Sequence, residues 1–115
     1  MAEQVAGNRD VAVGINDTLV VGGDRRVDVG RNQSSTVQAN QAVVVGKDLA
    51  VTVGKNVRIR AADSLELVCG GASILMKKDG TIVIKGKDVS IEANGKVNVK
   101  ASGDVVLKGS KILQN

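Results

Sequence analysis

The chain has no Phe, Trp, Tyr, Pro or His, and only one cysteine, Cys69. Without aromatic rings an ordinary globular core loses its usual bulk, and bases or sugar rings find no stacking platform. Without histidine, Ser-His and Cys-His nucleophile pairs are excluded. A lone cysteine rules out an intrachain disulfide and a cysteine-rich metal site. The missing proline fits a continuous sheet, because each proline would delete a ladder donor. No stretch approaches the roughly 20 apolar residues that cross a bilayer as a helix. Met1 is followed by Ala2-Glu3-Gln4, with neither the basic start nor the apolar run of a signal peptide. A soluble chain is expected, cytoplasmic when made or cut from a longer parent. At 115 residues it is one domain by length.

What is present is slim, aliphatic and periodic. The chain is 43% apolar, and its strict alternation argues against the disorder that low aromatic content can signal. A valine pair followed by glycine returns every eight residues: Val11-x-Val13-Gly14, Leu19-x-Val21-Gly22, Val27-x-Val29-Gly30, Val43-x-Val45-Gly46 and Val51-x-Val53-Gly54. Asn16, Asp24, Asn32, Asn40, Asp48 and Asn56 keep the same phase. Apolar residues at i and i+2 describe one face of a strand. Gly with Asn or Asp two places on predicts a corner, since both tolerate positive φ. In residues 33–40 the octad weakens, with Ser35 and Gln38 at the valine and glycine positions, but Val37 and Asn40 hold register. The triplets then lengthen to Val57-x-Ile59-x-Ala61 and Leu65-x-Leu67-x-Cys69.

At Gly70-Gly71 the phase slips, with Ile74 and Met76 where 75 and 77 would continue. Asp79-Gly80 is a strong turn signal. Alternation resumes as Ile82-x-Ile84, Val89-x-Ile91, Val97-x-Val99, Val105-x-Leu107 and Ile112. The chain thus divides into an octad-repeat stretch, residues 1–70, and its continuation after a register shift, residues 71–115, within a single structural domain. Helical periodicity is absent throughout.

Octads this small bury too little to fold alone. Two or three inward residues contribute a few kcal/mol at about 25 cal/mol per Å², against backbone ordering of about 1–2 kcal/mol per residue. Each strand therefore needs neighbours above and below. One chain could coil with three octads per turn, or three chains could wind together. A single coil would differentiate its faces over 24 residues, yet successive octads look interchangeable, which favours three-fold symmetry. The expected fold is all-β, an intertwined homotrimeric triple-stranded β-helix or prism. About 14 octads at roughly 4.8 Å each make it ~65 Å long. Its axial core would hold Val11, Val13, Leu19, Val21, Val27, Val29, Val43, Val45, Val51, Val53, Ile59, Leu67, Ile82, Ile84, Val89, Ile91, Val97, Val99, Val105 and Leu107.

Little else suggests chemistry. Residues 1–70 balance 8 basic against 8 acidic side chains, whereas residues 71–115 carry 8 lysines and 4 acids. Such lysines keep an outward face soluble and discourage stray strand pairing. Nucleic acid is not an expected partner. Asp79, Asp88 and Glu92 fall at turns or outward positions rather than as a carboxylate pair. The glycines lack the Lys-Ser/Thr of a phosphate-binding loop. No catalytic residue, cofactor or metal site is expected. Cys69 reads as an inert small hydrophobe, or as three copies meeting near the axis. Gln33 and Gln41 either line a wet channel or solvate corners.

The octads, the run Ala72-Ser73-Ile74-Leu75-Met76-Lys77-Lys78-Asp79-Gly80-Thr81-Ile82-Val83-Ile84-Lys85-Gly86 and the ending from Ala101 to Asn115 together resemble the C-terminal needle of VgrG proteins. These form the trimeric spike of the bacterial type VI secretion system, similar in plan to the cell-puncturing spike of T4-like phages. The resemblance covers nearly the whole chain. It implies a stiff, non-enzymatic needle driven through a target cell envelope, with a PAAR-repeat tip protein on its C-terminal end. That partner is expected on Lys111, Ile112, Leu113, Gln114 and Asn115. Upstream spike domains and an Hcp-like tail tube would join through a missing N-terminal part, making this a fragment. The needle would assemble in the bacterial cytoplasm and be translocated into the target cell. Without histidine it cannot build the iron-holding tip of some phage spikes. Two competitors remain. A stalk of a trimeric surface adhesin or phage fibre would need a secretion signal or anchor. A single-chain polysaccharide-cleaving β-helix would need sugar platforms and convergent carboxylates.

Overall fold

The structure, a computed structural model, describes residues 2–115. The described chain is all-β, without a helix. It comprises two units, Met1–Leu49 and Ala50–Asn115.

In the first unit the octad is written into the backbone. Bends fall at residues 6–7, 14–15, 22–23, 30–31, 38–39 and 46–47, each eight after the last. Segments without regular secondary structure, which carry the valine pairs, separate them. The second unit continues the cadence with bends at 54–55 and 62–63, and resumes it at 87–88, 94–95 and 102–103. The corners do not use positive φ, contrary to the sequence expectation. No non-glycine residue has it among the described residues, and Gly70 and Gly80 are the only glycines that do. These corners are thus made in conformations open to any L-residue, which is why Gln38 and Ala62 can stand at the phase held elsewhere by glycine.

Between Asp63 and Lys85 the second unit departs from the octad and folds on itself. Strands β1 (Ser64–Cys69), β2 (Ala72–Lys77) and β3 (Ile82–Lys85) form an antiparallel sheet in the order β1-β2-β3. Cys69 pairs with Ala72, so Gly70-Gly71 is a two-residue hairpin loop. Gly70 at φ 54 supplies the positive first position that matches the right-handed strand twist. The second loop is built on Asp79-Gly80. Gly80 N–H donates to the Lys77 carbonyl at 3.1 Å, and Lys77 N–H to the Thr81 carbonyl at 3.0 Å. Gly80 at φ 94 completes the reversal where a side chain would be strained. Asp79 braces it by accepting a 3.0 Å hydrogen bond on Oδ1 from Thr81 N–H. Lys78 N–H donating to the Asp63 carbonyl at 3.0 Å extends the β1-β2 ladder one step further.

This pairing explains the phase slip. Opposed residues of antiparallel strands share a face. Leu67 stands opposite Ile74, and Ile74 opposite Ile84, so odd positions of β1 align with even positions of β2 and β3. A two-residue loop imposes that change of parity.

Candidate functional site

The feature to be explained is apolar strand surface with nothing against it. Among the described residues no hydrophobic side chain is buried. The accessible surface is 13011 Å², whereas a compact monomer of 11.8 kDa would expose about 5,900 Å². Every residue expected at the axis, from Val11 to Leu107, is exposed in the single chain. The valine phase nevertheless has a direction. Val20 is 86% exposed and its neighbour Val21 43%, while Val44 is 93% exposed and Val45 45%. Successive strand residues point to opposite sides, and the in-phase member is the partly sheltered one.

The backbone has the same need. Among the described residues, backbone–backbone hydrogen bonds lie between Asp63 and Lys85, in the sheet and its loops. The octad segments on either side leave their N–H and C=O groups without backbone partners, although such groups pair almost obligatorily once buried. These segments thus combine open backbone groups with exposed valine pairs. The corner glycines fit that description. A Cβ built on Gly14, Gly22, Gly30, Gly46 or Gly54 meets nothing within 4 Å, so neither the conformation nor the chain's own atoms demand glycine there.

Of the expected core residues, the sheet brings Leu67, Ile82 and Ile84 onto one face, and the remainder are not joined within one chain. Leu65, Ile74 and Met76 complete that face, outside the expected core set. Their signal in the sequence was the parity change at Gly70-Gly71. The face carries no charge, whereas the opposite face sets Glu66, Lys77 and Lys85 among Val68, the half-buried Leu75 and Val83. Cys69, exposed and opposite Ala72, lies at the apolar face's hairpin end. An apolar hollow of about 510 Å³ runs beside it, lined by Leu67, Ala72, Ile74, Ile84 and Val89 among others.

The tip segment, Lys111 to Asn115, has no backbone partner, and Ile112 and Leu113 are exposed. Ion pairs are superficial. Arg26 Nε approaches Asp28 Oδ2 at 2.8 Å, Arg9 Nε approaches Glu3 Oε1 at 3.4 Å and Lys78 Nζ approaches Asp63 Oδ1 at 3.9 Å, all solvent-exposed and of small energetic weight. Asp79 is held below the usual carboxylate range, chiefly by the Thr81 backbone hydrogen bond and next by the Thr81 side chain. The described residues contain no group of three or more His, Cys, Asp or Glu arranged to hold a metal, and no helix long and apolar enough to cross a membrane. No family model matches this chain, and no curated protein matches it.

Proposed function

We propose that three copies of this chain wind into one β-prism that serves as a rigid needle. Its role is mechanical, as in the VgrG-type secretion spikes that the octads and the Ala72–Gly86 run resemble. The observation that carries this is the eight-residue cadence of bends joined to strand backbones without partners. Three equivalent chains supply what one lacks: a neighbour for each open ladder and an apolar surface for each valine pair. Packed into one compact 35 kDa body they would expose about 13,000 Å² in all. Each copy would then bury about two thirds of its present surface, far beyond the roughly 800 Å² per partner of a standard interface.

Stiffness follows from that arrangement, because bending a prism whose chains are cross-linked by ladders at every level breaks many hydrogen bonds together. Corner glycines would let neighbouring backbones approach closely. The envelope-puncturing role and a PAAR-type partner on Lys111–Asn115 come from the family resemblance. The exposed Ile112 and Leu113 suit such a cap. The test is the solution mass by light scattering, about 35 kDa for a closed three-fold assembly of 11.8 kDa chains. A mass of one chain would overturn the proposal.

A further inference from the structure

The octads pose a problem that the sheet solves. Sliding one chain by eight residues past its neighbours lays valine on valine and corner on corner, since Val11-x-Val13-Gly14 and Leu19-x-Val21-Gly22 are interchangeable. Strands without distinguishing side chains specify register weakly. A needle built of octads alone would therefore assemble with staggered ends. Ser35 and Gln38 dilute the repeat without changing its phase, and the segment that leaves it is Ser64–Lys85.

We propose that the apolar face of the β1-β2-β3 sheet docks against the same face of two further copies and thereby fixes the axial register of the three chains. The inference rests on the trimer reading. Leu65, Leu67, Ile74, Met76, Ile82 and Ile84 form the face in aligned rows. Leu67, Ile82 and Ile84 are each about three-fifths exposed, and removing such apolar surface from water is favourable. The neighbouring segments at Ile59 and Val89 flank its two ends across open hollows, and they leave Leu67, Ile82 and Ile84 in solvent.

Identical copies suit the vacancy for two reasons. The face has no charge, so three of them meet at an axis without repulsion, whereas the opposite face would gather Lys77, Lys85 and Glu66 of every copy. The surface left open by the single chain is also that of an obligate assembly rather than of a small partner. A chain displaced by one octad would set its Gly70-Gly71 hairpin beside extended octad backbone. It would leave part of the face in water, and that penalty selects one register. The hollow lined by Leu67, Ile74 and Val89 would receive aliphatic side chains of the adjacent copy.

The test compares the full chain with one in which residues 64–85 are exchanged for a second copy of residues 40–61, equal in length and octad phase. The unexchanged chain carries Cys69→Ser, since the exchange itself removes Cys69, and both carry a nitroxide on Lys47→Cys, at an exposed corner, with the lysine of the second copy kept, for pulsed dipolar distance measurement. The unexchanged chain should give a trimer with one distance. The exchanged chain should either give several distance populations or fail to trimerise. A single distance in the exchanged trimer would overturn the register role and leave the trimer standing. A monomeric unexchanged chain would overturn both. A face variant, Ile74→Lys, should likewise broaden the distances or lose the trimer, while Glu66→Lys on the charged face should change neither. The reverse pattern would show that the wrong face had been assigned.

Discussion

At the residue scale, neighbouring valines have opposite fates. Val44 and Val45 differ by one position and by a factor of two in exposure, because strand side chains alternate. If Val45 faces the axis of a trimer, Val45→Asp brings three carboxylates together in a low-dielectric interior and should prevent assembly. Val44→Asp should leave assembly intact. Size-exclusion chromatography with light scattering distinguishes the pair, and equal behaviour of the two would show that the inward phase is misassigned. Asp79 offers a pH-dependent counterpart. Its carboxylate accepts from Thr81 and is held below its ordinary value. A depressed folded value means that its contribution is present above the unfolded value of about 3.9 and is lost as pH falls through the folded one. Thr81 amide exchange should accelerate in that window below pH ~4, and Asp79→Asn should flatten the response.

At the scale of elements, the hairpin loops are the positions where conformation dictates the residue. Gly70→Val forces a β-branched side chain to φ 54, costing about 1–2 kcal/mol or more. Loss of protection in the β1 and β2 amides by hydrogen exchange should report it. Gly14→Ala meets no such barrier within one chain, so any loss of stability from it would come from contact between chains. The alternating valines, the corner spacing and the Asp79-Gly80 turn were all legible in the residues. The slip at Gly70-Gly71 was legible only as a shift of phase. A change of parity is equally compatible with a bulge, a continued coil or an antiparallel return, and long-range pairing decides among them.

At the scale of the whole molecule, the described residues bury no hydrophobic side chain, and under the proposed trimer the chain would draw its stability from association. Its thermal midpoint should therefore rise with protein concentration, as mass action requires of an obligate oligomer. Scanning calorimetry over a hundredfold dilution series checks this. A midpoint independent of concentration would indicate a self-sufficient monomer.

The boundary between one-dimensional and three-dimensional information follows from range. Val-x-Val-Gly repeats encode alternation and corner spacing because both depend on residues within a single octad, and backbone bends from residue 6 to residue 63 keep that period. The direction in which β2 runs beside β1 depends on partners brought together through space, with Cys69 meeting Ala72 and Ser64 meeting Lys77. Only the folded backbone settled that the Leu65, Ile74 and Ile82 rows become one uncharged face, since side-chain neighbours across a sheet are set by register and not by proximity along the chain.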